Sequence, residues 1–223
     1  MIQCALLPAL LVTAAVSQDM LDDFSYATAD EARAAWTASE RTPDIGVARD
    51  GDRSVLTVKA PFAESATLGR AVIDRSVKLN LAAPGRFELE IAVDPPEACG
   101  SLTLYFRSGG GWYGAGGGVA ADGWQTVRFS NANFRTEVNP AGWDKIDGIR
   151  IACWRGRAKD ATIRVRRLAA CWSNAALVIP TASDQPRDRE VDSALDIAET
   201  VGEMLDDLGL GRSEERRVGK ECR

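Results

Sequence analysis

Trp112 and Tyr113 sit side by side in the glycine run GGGWYGAGGG, residues 109–118, and no pair in the chain is better suited to recognition chemistry. An exposed indole or phenol face stacks on the C–H patches of a sugar ring while neighbouring polar groups take its hydroxyls. Neither side chain loses much rotamer freedom in doing so. Stretches of alternating polarity supply the polar groups: Tyr105, Arg107, Arg128, Arg150 and Trp154 fall opposite the apolar set Leu104, Phe106, Val127, Phe129, Ile149, Ile151 and Cys153. If these strands share a sheet, they present an aromatic and guanidinium face beside the glycine run. The competing reading buries the tryptophans in a core and pairs each outward arginine with Glu88 or Glu90 across strands. Period alone leaves both readings open. Trp124 and Trp143, next to turns, read as packing residues.

Catalysis is constrained by composition. The chain has 223 residues, 45% hydrophobic and 26% charged, with five Cys and no His. Without imidazole there is no Ser-His-Asp or Cys-His nucleophile pair and no His-ligated metal centre. Gly109, Gly111 and Gly114 formally satisfy G-x-G-x-x-G, but a dinucleotide site needs a helix opening at those glycines. Here the chain heads into Asp122-Gly123 and a strand, so the stretch is expected to be a flexible loop. A glycosidase needs two carboxylates across one cleft. Glu88 and Glu90 share a strand face and Asp144 and Asp147 flank a turn, and nothing pairs any of them, so they read as solvated. Asp22, Asp23 and Asp160 are candidates for a structural Ca²⁺, the one cofactor suspected, although no loop has the alternating acidic spacing of a calcium site.

The elements that must position these residues are strands. Alternation of period two runs through Val55–Lys59, Ala71–Leu79, Phe87–Val93, Leu102–Phe106, Trp124–Ser130, Ile146–Cys153 and Thr162–Leu168, with turn-prone breaks such as Asp50-Gly51-Asp52 and Ala83-Pro84-Gly85 between them. Short strands without intervening helices predict an all-β fold, an antiparallel β-sandwich of the jelly-roll kind. One helix precedes them. Thr28-Ala29-Asp30-Glu31 is a capping box, and Ala32, Ala35 and Trp36 then share a face that packs Trp36 on the sandwich edge.

The segments DDFSYATADEARAAW (22–36), YFRSGGGWYGAG (105–116) and FRTEVNPAGWDKIDGIRIACWRG (134–156) resemble the galactose-binding-like jelly-roll modules of secreted bacterial carbohydrate-active proteins, over about residues 22–170. The resemblance implies sugar binding, or a spacer beside a catalytic domain, and fold alone does not choose. Carbohydrate and the downstream domains of the same chain are the implied partners. A hydrolase in its own right is the remote third reading.

The termini organise the rest. MIQCALLPALLVTAAVSQD has an apolar run from Cys4 to Val16 and an A-x-S pattern before Gln18, which reads as a signal peptide over 1–17 despite the lack of Lys or Arg before the run. The sandwich occupies 18–172 and the expected location is secreted or periplasmic. Over 173–211 a short apolar strand precedes Val191, Ala194, Leu195, Ala198, Val201, Leu205 and Leu208 at helical spacing. This resembles the first β-α unit of a glutamine-amidotransferase-like domain, truncated. Residues 212–223, RSEERRVGKECR, resemble translated sequencing adapter, so the chain is expected to be an N-terminal fragment. The alternative, a basic tail, is a weak patch of five positive against three negative charges on a chain of net charge −5, which does not attract nucleic acid. No membrane association is expected after signal cleavage.

Cys99, Cys153 and Cys171 then remain. A hairpin turning at 156–160 would set Cys153 and Cys171 about 30 Å apart along the strands, beyond disulfide reach. Buried thiols, or a pair that includes Cys99, stay open.

Overall fold

The structure is a computed structural model that describes the backbone of residues 14–64, 67–119 and 121–175, and the side chains of residues 18–172 within those ranges. The expected β-α unit and tail therefore lie outside the described residues apart from the backbone of 173–175, as does the signal segment apart from the backbone of 14–17.

Residues Gln18–Trp172 form one compact unit. Two antiparallel sheets face each other. The first, sheet A, runs β3 (Ile45–Asp50), β4 (Arg53–Ala60), β12 (Ala161–Ala175), β6 (Arg86–Asp94) and β9 (Gln125–Ser130), with β1 (Ala14–Asp22) also paired to β12. The second, sheet B, runs β10 (Arg135–Glu137), β8 (Gly111–Gly117), β7 (Cys99–Ser108), β11 (Ile146–Arg155), β5 (Arg70–Leu79) and β2 (Thr37–Ser39). The antiparallel sandwich is thus as the alternation predicts. Its inward positions, among them Phe87, Leu89, Leu104, Phe106, Val165 and Leu168, are fully buried, and burial of one face per strand drives the closure.

The short helix α1 (Ala29–Ala35) is capped as its sequence requires. The Glu31 amide donates to Thr28 Oγ1 at 3.2 Å, and the Glu31 carboxylate reaches back to the Ala27 amide at 2.9 Å. Trp36, directly after α1, is fully buried and stacks on Phe24, with ring centroids 5.2 Å apart. Its indole N–H donates to Asp22 at 2.8 Å. Asp22 also accepts from the Phe24 amide, the Tyr26 hydroxyl and Arg75, so donors saturate it. Asp160 is spent on the Ala63 amide and Asp23 on Ser25. Each of the three aspartates thus accepts hydrogen bonds from the chain itself, and among the described residues no group of three metal-ligating side chains converges.

Two expectations about strand pairing are corrected. The turn at 156–160 does not close a hairpin: β11 lies in sheet B and β12 in sheet A, so the chain there crosses between layers. Cys153 instead bonds to Cys99, with Cα atoms 5.9 Å apart, and Cys171 is a buried free thiol. The glycine run is strand rather than flexible loop. Gly109 and Gly110 make the turn, with Gly109 at φ 58°, and Gly111–Gly117 pairs along β7 in unbroken register.

Candidate functional site

Strands β8, β7 and β11 are adjacent in sheet B, and their outward positions fall into rows across the sheet. Trp112 pairs with Arg107, Tyr105 pairs with Gly114 on one side and Arg150 on the other, and Trp154 pairs with Ser101. Five of the seven residues singled out in the sequence, Tyr105, Arg107, Trp112, Arg150 and Trp154, therefore share one face.

Two do not. Tyr113 points into the core, 9% exposed, and stacks on Trp143 with centroids 4.2 Å apart. In a strand whose other members are small, Trp112 and Tyr113 are adjacent aromatics, so one must point in. Arg128 lies on β9 in the other sheet and pairs with Glu88 at 3.3 Å, which is the cross-strand pairing of the competing reading. Glu88 and Glu90 are not solvated either: Glu88 is 5% exposed beneath Arg86, Arg128 and Arg167, and Glu90 is held by Arg166 and Arg167.

On the outward face of sheet B, Tyr105 is a floor rather than a projecting platform. It is 7% exposed, clusters with Val72 and Ala152, and meets the edge of Trp112 at 6.1 Å and 79°. Gly114 makes this possible, because a Cβ there would stand 2.7 Å from the Tyr105 ring. Trp112 and Trp154 are half-buried, each with a guanidinium on its ring: Arg150 lies 4.7 Å above Trp112 and Arg70 lies 4.6 Å above Trp154. Such contacts hold the ring and the cation in fixed relation. The Trp154 indole N–H donates to Thr103 Oγ1 at 2.9 Å.

Carboxylates from neighbouring strands orient each of these arginines. Arg150 forks onto Asp74 at 2.7 and 3.1 Å, and Ser39 donates to the same carboxylate at 2.7 Å. Arg107 donates to Asp147 at 2.5 Å, and the other Asp147 oxygen accepts the Gly109 amide at 3.1 Å. Arg70 forks onto Glu40 at 2.6 Å through both nitrogens. The hydrogen bond from Arg107 holds the Asp147 carboxyl below its ordinary range, and that from Arg70 does the same for Glu40. Bidentate pairs of this kind fix the direction in which the remaining N–H donors point.

Glu40, Arg41, Thr67, Gly69, Arg70 and Trp154 line an open pocket of about 400 Å³ at the β2 edge of this face. Glu40 and Arg41 are the central residues of a two-residue turn, at φ 55° and 67°, closed by the Thr42 amide donating to Ser39 O at 2.9 Å. At the opposite edge Val138, directly after β10, holds φ 62° and is 87% exposed.

Sequence reasoning missed Glu40, Arg41, Arg70 and Asp74. Asp74 occupies an even position of the Ala71–Leu79 period and Arg70 extends the same row by one residue, where a charged residue marks an outward face, so that signal was present. Glu40-Arg41 carried none, because turns with both central residues left-handed ordinarily use Asn, Asp or Gly.

No family model matches the chain, and no curated protein matches it. Among solved structures it is similar to the family 11 carbohydrate-binding module from Clostridium thermocellum in complex with a β-1,3-1,4-mixed-linked tetrasaccharide, at 15% identity and TM-score 0.52, covering 74% of this chain and 99% of that one. The family 11 module of a cellulosomal cellulase of Clostridium thermocellum matches at 15% identity and TM-score 0.51, covering 75% and 99%. An exo-β-agarase matches at 10% identity and TM-score 0.50, covering 81% of this chain and 30% of the agarase. Two six-stranded antiparallel layers with a short helix ahead of them, in this order of strands, give the chain the β-sandwich fold of carbohydrate-binding modules.

Proposed function

We propose that the chain is a non-catalytic carbohydrate-binding module of an exported glycan-active protein, and that the outward face of sheet B holds the polysaccharide. One observation carries the reading: three strands bring Tyr105, Arg107, Trp112, Arg150 and Trp154 onto a single face, with every arginine aimed by a carboxylate. Half-exposed rings supply apolar contact for sugar C–H groups, and the oriented guanidinia and carboxylates supply donors and acceptors for hydroxyls. A module of the same fold holds a mixed-linked tetrasaccharide.

The same pairing argues against hydrolysis. A glycosidase acid needs a raised pKa, whereas the hydrogen bonds from Arg70 and Arg107 push those of Glu40 and Asp147 down. Export is supported by the apolar N-terminal run and by the Cys99–Cys153 bond, which suits an oxidising compartment. Among the described residues no helix is long and apolar enough to cross a membrane. The downstream domains expected in the longer parent are the proposed intramolecular partners.

Affinity electrophoresis in gels containing mixed-linked β-glucan, galactan or agarose tests the reading. Retardation of the wild type by one of them, lost in Trp112→Ala and Trp154→Ala, supports it. Unretarded migration in every gel and across a broad glycan array would leave the second reading, a spacer that binds nothing. The burial of Tyr105 and Tyr113 favours that spacer.

A further inference from the structure

The described chain has four non-glycine residues in left-handed backbone, Phe24, Glu40, Arg41 and Val138. Phe24 is in the core, and the other three stand directly beyond the two edge strands of sheet B, Glu40 and Arg41 after β2 and Val138 after β10. Side chains with a Cβ pay for this conformation, and such residues persist where the surrounding structure holds them for a purpose. The Glu40-Arg41 turn is the clearer case, since an Asn-Gly pair would make it without cost.

The turn delivers a carboxylate. Glu40 meets Arg70 at 2.6 Å through both oxygens and reaches Arg150 at 3.4 Å. It thereby joins the pocket beside Trp154 to the Arg150–Asp74 pair in the middle of the face. Arg41, which also lines the pocket, donates to Thr67 Oγ1 at 3.0 Å. The pocket thus combines a half-buried indole, a carboxylate with acceptor capacity left over, and guanidinium N–H donors that no carboxylate takes.

Building on the carbohydrate-binding reading, we infer that the pocket formed by Glu40, Arg41, Arg70 and Trp154 is a subsite for one neutral sugar residue, and that the strained turn is retained because it holds the Glu40 carboxylate there. Neutrality follows from charge. Arg70, Arg107 and Arg150 each already have a carboxylate partner, Arg41 is exposed and donates to Thr67, and the chain carries a net charge of −5. A uronate or sulfate entering the pocket would meet the Glu40 carboxylate at the wall. A hydroxyl-bearing ring gives a donor to Glu40 and acceptors to Arg70.

The test is the double variant Glu40→Asn with Arg41→Gly, alongside Glu40→Gln. Binding is measured by affinity electrophoresis and calorimetry on the neutral polysaccharide that retains the wild type best, and on polygalacturonate and a sulfated galactan. The double variant, with a turn relieved of strain, is expected to melt at a higher temperature than wild type while its affinity for the neutral polymer falls at least about tenfold. Glu40→Gln is expected to fold normally and to lose affinity in the same direction. A double variant that melts higher but binds as tightly as wild type overturns the subsite. Tighter wild-type binding to either acidic polymer than to any neutral one overturns the ligand class. If the wild type binds no glycan, the carbohydrate-binding reading falls and this subsite with it. Loss confined to the variants separates the two.

Discussion

Both outer faces of the sandwich carry tryptophan packed against arginine, yet they are built differently. On sheet A, Trp124 lies under Arg166 and Arg164, at 4.4 and 5.4 Å, and four arginines, Arg86, Arg128, Arg166 and Arg167, crowd around Glu88 and Glu90. On sheet B the arginines are spaced along separate strands, each with its own carboxylate, and an open pocket lies beside Trp154 at the β2 edge. Sheet A spends its charges on itself. Sheet B aims them and leaves room. Aromatic and arginine content on an outward face is therefore no sign of a site unless the backbone also keeps a space for a ligand.

The difference can be broken at several points. Cys99–Cys153 staples β7 to β11 in sheet B across a separation of 54 residues, whereas sheet A holds only the free Cys171. Replacing Cys99 and Cys153 by Ser is expected to cost about 4 kcal/mol in urea denaturation, from the loop entropy returned to the unfolded chain. Cys171→Ala should stay within about 1 kcal/mol of wild type.

Glu88→Ala should cost about 3 kcal/mol, because it strips a buried carboxylate from three guanidinia, and should leave polysaccharide retention unchanged. Loss of retention in that variant would move the site to sheet A. Trp112→Ala is expected to weaken glycan affinity by about tenfold, roughly 1.4 kcal/mol, while Trp124→Ala, on the other face, alters stability only. Smallest is Val138→Gly. It relieves a β-branched residue in left-handed backbone and buries nothing less, so stability should rise by about 1 kcal/mol in a thermal melt.

The strands were legible in the sequence because burial of one face writes a period of two. Leu104, Phe106, Val127, Phe129, Ile149, Ile151 and Cys153, all placed inward by that period, are 0–8% exposed. The partners of each strand were not legible. The 156–160 turn looks like any hairpin turn, and only the competition of β4 and β6 for the two edges of β12 sends the chain across to the other layer. Strand β8 was hidden for a different reason: its alternate positions are glycine, which carries no hydropathy signal in either direction. The candidate site was half legible. Its outward residues on β7, β8 and β11 follow from alternation, but Asp74 and Glu40 reach it from β5 and the β2 turn, more than thirty residues earlier in the chain than the Tyr105 and Arg150 they border.

The position of β12 has a consequence for how the molecule is made. It is the last of the described strands and the middle of its sheet, flanked by β4 and β6. During synthesis those two strands wait with bare hydrogen-bonding edges until β12 emerges between them, a long-range closure that slows folding and exposes sticky intermediates. Chains cut short in the 156–160 turn should precipitate rather than yield a smaller module, and yield on refolding should fall as protein concentration rises.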